Sequence, residues 1–111
     1  MAYSPQARRD RINPHFPKLV EMTRDYVYAD VWERPGLSKR DRSIVTIAAL
    51  TALGFRDQLE GHIARGLANG LTREEVSEII THLALYSGWP SAMTAAHVAT
   101  DVFEEQDKAK G

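Results

Sequence analysis

The sequence predicts an all-α fold, and three observations carry that prediction. Apolar residues recur at helical spacing along most of the chain, capping residues stand where the periodic runs begin and end, and no stretch sustains the alternation of a β-strand. Roughly five or six helices are expected, with the main core between Ser38 and Phe103. The 111 residues amount to one domain. Residues 1–16 are polar, carry Pro5 and Pro14, and read as an N-terminal arm with at most a short helical turn. Residues 17–111 read as the helical domain.

Pro17 suits the first position of a helix, where its missing N–H costs nothing, and that helix is expected to reach about Trp32. Leu19, Val20, Met22, Tyr26, Val27 and Val31 give it a loose apolar stripe. Glu33-Arg34-Pro35-Gly36-Leu37 then forms a turn, because Pro and Gly together break a helix. Ser38 is the expected N-cap of the next helix, with Asp41 near its positive end. Residues 44–53, IVTIAALTAL, are apolar on nearly every face, so this helix must be covered on more than one side. Gly54 ends it.

A second helix of the core runs from about Arg56 to Asn69, with Leu59, Ile63 and Leu67 on one stripe and Gly70 at its end. Thr72-Arg73-Glu74-Glu75 is a capping box, in which hydroxyl and carboxylate satisfy each other's backbone donors. The helix it opens carries Val76, Ile79, Ile80 and Leu83 and is closed by Gly88. Pro90 begins the last helix, lined by Ala92, Ala95, Ala96, Ala99, Val102 and Phe103. Its charged tail from Glu104 is expected to fray. Short gaps favour antiparallel neighbours. Two helices as apolar as residues 44–53 and 92–103 are hard to cover within one chain of this length, so a partner subunit is expected over part of them.

Composition narrows the chemistry. A net charge of −1 and a pI near 6.4 speak against a nucleic-acid or anionic-membrane partner. With no cysteine, disulfides, thiolate metal sites and thiol nucleophiles are excluded together. No apolar run of membrane-spanning length is present and no signal-peptide pattern stands at the first residues, so a cytoplasmic protein is expected. No metal motif is visible: His62, His82 and His97 fall on three different helices, and Glu60, two residues from His62, points elsewhere on its helix. A phosphate loop and a nucleophile elbow are likewise missing.

A few polar residues remain in apolar surroundings. His62 follows Gly61 and precedes Gly66, glycines that suit close approach of a ligand or another helix. Its residue type and setting alone favour a hydrogen-bonded packing histidine over a reactive one. His82 and Tyr86 share a helix face and read either as a carboxylate- or carbonyl-binding pair or as an amphipathic pair at a subunit interface. His97 stands in an alanine-rich helix, where a structural role is the commoner one. Arg40 and Arg42 are the best anion-binding candidates, against the plainer reading of a solvated first turn.

Three stretches take the reading further: VWERPGLSKRDRSIVTIAALTALG at residues 31–54, LEGHIARGLANGLTREEVSEII at residues 59–80, and HLALYSGWPSAMTAAHVATDVF at residues 82–103. In this order they resemble the carboxymuconolactone decarboxylase family. The W-x-R-P-G-L turn and the histidine at His97 resemble its decarboxylase branch, whereas the H-x7-G-L-T-x2-E segment is shared family-wide. The resemblance implies an alkylhydroperoxidase-like helical fold and a homo-oligomer, a hexamer built as a trimer of dimers. The redox branch of that superfamily uses a C-x-x-C pair followed by a histidine. If His62 matches that histidine, the cysteine positions fall on Phe55 and Gln58, and the relay glutamate falls near Ser43. Peroxidase activity is therefore not expected.

What the resemblance implies instead is a cofactor-free carboxy-lyase that converts 4-carboxymuconolactone, or a related small carboxylated lactone, to 3-oxoadipate enol-lactone in aromatic catabolism. On that reading His62 is the general acid, with His97 as the other catalytic candidate. Arg40 and Arg42 bind carboxylate, His82 and Tyr86 orient substrate or stabilise the enolate, and Trp32 and Trp89 wall the pocket. The residues leave open a thiol-free isomerase or hydrolase of another small lactone or quinone, or a non-catalytic ligand-binding oligomer.

Overall fold

The structure, a computed structural model, describes residues 5–111. The described residues form six α-helices and two tighter or wider helical turns, with no strand among them. In order they are α1 (Pro5–Ile12), α2 (Pro17–Met22), a π-helical turn (Thr23–Tyr28), a 3-10 turn (Val31–Glu33), α3 (Lys39–Leu53), α4 (Arg56–Ala68), α5 (Arg73–Ser87) and α6 (Trp89–Lys110).

The four long helices form the core, and their ends lie where the sequence predicts. The Ser38 hydroxyl accepts from the Asp41 N–H at 3.0 Å, and α3 stops at Gly54, whose φ of 75° is a conformation that only glycine adopts cheaply. At Thr72 both halves of the capping box form. Ile47, Leu59, Ile63 and Val76 are fully buried, joined by Ile80 and by the small residues Ala92, Ala95, Val98, Ala99 and Val102 of α6. Helix α3 packs against α4, α5 and α6, as an all-round apolar helix must. Gly66 is what lets α4 lie close to α3. A Cβ there would sit 3.0 Å from both Ile47 Cδ1 and Leu71 Cδ1 and 3.4 Å from Ser43 Cβ. The glycine serves helix packing.

Three elements differ from the expectation. Residues 5–12 form a two-turn helix, longer than the short turn expected of the arm, and Arg8 anchors it by donating to the Asp57 carbonyl at 3.1 Å. The helix from Pro17 does not run evenly to Trp32. It widens after Met22, where the Ala29 N–H reaches the Arg24 carbonyl, and then tightens into the 3-10 turn. As a result the expected stripe is only partly covered: Val20 is buried, while Leu19, Met22 and Tyr26 are exposed. The tail after Glu104 stays helical to Lys110. Arg73 of α5 holds it there, pairing with Asp107 at 2.8 Å, donating to the Phe103 carbonyl at 3.2 Å and lying over the Phe103 ring. That tie spans two helices and leaves no periodic trace in the tail itself.

Candidate functional site

One face of α4 carries His62 and Arg65, three residues apart, and Asn69 caps the helix four residues on. The π-helical turn lays Tyr28 against this face and the 3-10 turn adds Trp32. The Trp32 indole stacks on the His62 imidazole with ring centroids 6.0 Å apart and planes inclined by 21°. The Tyr28 hydroxyl lies 3.5 Å from His62 Nε2, and the Tyr28 and Trp32 rings are 5.9 Å apart. Arg65 lies over the Tyr28 ring, its guanidinium carbon 4.1 Å from the centroid. Asn69 donates to the buried Ser43 hydroxyl at 3.0 Å and so fixes the end of α4 to α3. π-helical turns occur often at functional sites because the extra residue re-aims the side chains that follow. Here the side chain re-aimed is Tyr28.

Tyr28, Trp32, Glu33, Lys39, Arg65 and Asn69 line a cleft of about 200 Å³. His62 is not among them and meets the cleft through Tyr28 and Trp32. A second cleft of similar size lies on another side of Trp32, lined also by Val31, Leu37, Arg42, Val45 and Thr46. Two buried nitrogens at the site have no hydrogen-bond partner, His62 Nδ1 and Arg65 Nη1. Unpaired buried donors and acceptors are costly and rare. Both lie on the face of α4 that meets Tyr28.

Burial holds the His62 pKa down to about 4, and the positive charge of Arg65 pushes in the same direction. The imidazole is therefore neutral at pH 7. In the unfolded chain the same group takes up a proton below about 6.5. Stability from this site is thus fully present above pH 6.5 and is lost as the pH falls toward 4, because only the unfolded chain gains the proton. With solvent screening at a partly exposed group, the loss is expected to be on the order of 1–2 kcal/mol. Denaturant titrations at fixed protein concentration at pH 7.5 and pH 4.5 measure it. An equal loss in His62→Gln would show that other groups produce it.

A model of the carboxymuconolactone decarboxylase family matches residues 17–101. The chain belongs to that family. Among curated relatives, a 4-carboxymuconolactone decarboxylase from Acinetobacter baylyi is 44% identical over 80 residues, covering 72% of this chain and 60% of the relative. A nitrosuccinic acid decarboxylase from Metarhizium robertsii is 32% identical over 75 residues, covering 68% and 52%. An uncharacterized protein from Paracoccus denitrificans is 30% identical over 83 residues, covering 73% and 62%. The chain thus spans roughly half to three-fifths of the length of these relatives.

Within this family member the candidate residues of the sequence separate into groups. His62 and Trp32 come together. Arg42 lines the second cleft beside Trp32, but two of its guanidinium nitrogens are engaged, donating to the carbonyls of Leu37 at 3.1 Å and Arg34 at 3.2 Å. It staples the W-x-R-P-G-L turn and so holds the segment that carries Trp32. Arg40 points to Asp41 and to Glu75, closing the start of α3 onto the capping box of α5. His82 and Tyr86 pack ring to ring, centroids 4.9 Å apart, on an exposed face of α5. Trp89 and His97 are exposed on α6. Among the described residues, the hydrogen-bond and ring partners of His62 are Tyr28 and Trp32, not any of these four. Sequence reasoning missed Tyr28 and Arg65. The signal for Arg65 was present in the polar pair His62 and Arg65 on one face of α4, with Asn69 at its cap. Tyr28 had no such signal, because an even helix from Pro17 would have placed it differently.

Proposed function

We propose that this chain is a cofactor-free carboxy-lyase acting on 4-carboxymuconolactone or a related small carboxylated lactone, in the cytoplasm, with 3-oxoadipate enol-lactone as the product. The observation that carries the reading is the neutral, half-buried His62 enclosed by Trp32 and Tyr28 beside a cleft with a cationic wall, in a chain 44% identical to a protein named for this reaction. The second relative's name points the same way. Nitrosuccinic acid, like the lactone, bears a carboxylate near a group able to accept an electron pair.

The chemistry follows from that arrangement. The bond between ring carbon and carboxylate breaks, and CO2 leaves. Its electron pair moves through the conjugated system onto the lactone carbonyl oxygen. A proton then adds to carbon and restores the carbonyl. The protein must hold the substrate anions, exclude water and supply that proton. His62 is neutral in the free protein, and a bound anion favours its charged form, so it takes its proton from solvent as substrate arrives. Tyr28, whose hydroxyl is next to His62 Nε2 and whose ring lines the cleft, stands between the imidazole and the substrate and can pass the proton on. Arg42 remains the candidate for a carboxylate in the second cleft, and Trp32 walls both clefts.

The same reading includes a homo-oligomer, a hexamer arranged as a trimer of dimers. Its support is the exposed apolar surface of Val45 and Leu53 on α3, of Phe55 just before α4, of Leu85 and Tyr86 on α5, and of Trp89 and Met93 on α6. Arg40, His82, Tyr86, Trp89 and His97 act in this reading only if such an assembly brings them to a neighbour's cleft. No described helix is long and apolar enough to cross a membrane.

The test is direct. Purified chain is mixed with 4-carboxymuconolactone, and loss of substrate absorbance is followed together with CO2 release. Turnover is expected. Absorbance loss without CO2 would assign an isomerase or hydrolase instead, and a flat trace across protein concentrations that span assembly would overturn catalysis on this lactone.

A further inference from the structure

We propose that Arg65 is the carboxylate-binding residue of the cleft walled by Tyr28 and Trp32, receiving one carboxylate of a small anionic ligand on its unpaired edge. This rests on the reading that the cleft takes a carboxylated substrate, and it adds a residue that neither the family resemblance nor the spacing of the sequence singled out.

Other arginines of the core helices are already engaged within the chain. Arg40 is held by Asp41 and Glu75, Arg42 by two backbone carbonyls, and Arg73 by Asp107 and the Phe103 carbonyl. Arg65 has no ion pair and no side-chain hydrogen bond among the described residues, although its Nη1 is buried. A guanidinium presents five donors in one plane and cannot shed its charge, so burying part of it unpaired is unfavourable unless an acceptor arrives. Tyr28 covers one face of that plane at 4.1 Å. The face is thereby stacked and the edge, where N–H groups lie, is left for an in-plane partner. A carboxylate is the planar anion that fits such an edge with two parallel hydrogen bonds.

The surrounding charges agree. The cleft's carboxylate, Glu33, is already paired with Lys39 at 2.7 Å, so it does not neutralise Arg65. The charged groups lining the cleft are Arg65, Lys39 and Glu33, which leaves a net positive wall. Asn69, one turn beyond Arg65, is held by Ser43 and stiffens the same face. Because Arg65 follows His62 by three residues, a ligand anchored at its edge lies against Tyr28, the group that reaches His62 Nε2. The residue that binds the anion and the residue that holds the proton thus sit one helical turn apart, on a rigid element.

The test uses the full chain, Arg65→Gln and Arg65→Lys, with two readouts: steady-state kinetics on 4-carboxymuconolactone, and calorimetric binding of succinate as a plain dicarboxylate probe beside uncharged succinamide. Wild type should bind succinate and not succinamide. Arg65→Gln should weaken succinate binding and raise KM by about ten- to a hundredfold, as expected for losing a charge-assisted pair, with kcat reduced much less. Arg65→Lys, which keeps the charge without the fork, should recover part of that loss. Melting temperatures of all three, taken alongside, identify a variant that merely fails to fold, in which case the Lys variant carries the comparison. Unchanged succinate affinity and KM in both variants would overturn the proposal, as would a wild type that ignores succinate. A chain that binds succinate through Arg65 but releases no CO2 would refute the decarboxylase reading and leave this one standing. Turnover indifferent to Arg65 would do the reverse.

Discussion

His62→Gln is expected to lose nearly all turnover while the protein stays folded. The amide keeps much of the imidazole's volume against Trp32 and can still meet the Tyr28 hydroxyl, but it cannot release a proton near neutral pH. A positioned acid contributes roughly 100- to 10,000-fold, which corresponds to about 3 to 5 kcal/mol of transition-state free energy. The loss should fall on kcat, since Arg65 and the aromatic walls still bind the substrate. His62→Ala should match it in rate but melt earlier, because it also leaves a gap beneath the indole. Assays of melting temperature and kcat side by side separate the two roles. A packing histidine would give the opposite pattern, with a lower melting point and normal kcat in the folded fraction. Should the glutamine variant keep even a third of the wild-type kcat, the proton would have to come from elsewhere, and Tyr28 stands nearest.

Ile47→Ala should produce the largest loss of stability. Ile47 is fully buried at the centre of α3, and its Cδ1 fills the space that Gly66 leaves open on α4. Truncation removes buried methyl groups and opens a cavity between α3 and α4, beside Leu71 and Ser43, which share that contact. Such changes cost about 2–5 kcal/mol, or a fall in melting temperature on the order of 10 °C or more for a domain of this size. Denaturant titration at fixed protein concentration measures it. A cost under about 1 kcal/mol would mean that α3 and α4 collapse onto each other and that the close approach at Gly66 is not the constraint it looks like. Since His62 and Arg65 ride on α4, the folded fraction of this variant also reports how far the site depends on helix packing behind it.

Much of the fold was legible because its signals are local. Ser38, Gly54, Thr72 with Glu75, and Pro90 act within one turn of where they stand, and each marks the boundary that the structure shows. The core stripes of α4 and α5 were equally plain, since helical spacing shows directly which residues share a face. The tail after Glu104 departs from its local signal for the same reason in reverse. Its charges read as solvent-facing, and the Arg73–Asp107 pair that orders it joins residues 34 apart in sequence. The composition of the segment from Pro17 permits one even helix. The widened turn that places Tyr28 on α4 arises where the segment packs against the bundle.

The candidate site divides along the same line. His62 and Trp32 drew attention by residue type and by resemblance, and the structure stacks one on the other. Arg40 and Arg42 drew attention as neighbouring cations, yet the chain uses both to close turns and helix starts, because carbonyls and carboxylates happen to face them. Arg65 is the same residue type with the opposite fate. From sequence alone, then, this protein is a cysteine-free, four-helix core with its caps, its apolar faces and a family. Which arginine is left unpaired, which tyrosine meets His62 and how far burial lowers the pKa of that histidine were decided by tertiary structure. Each depends on the partners and solvent exclusion that residues distant in the chain supply, and helical periodicity carries no record of either.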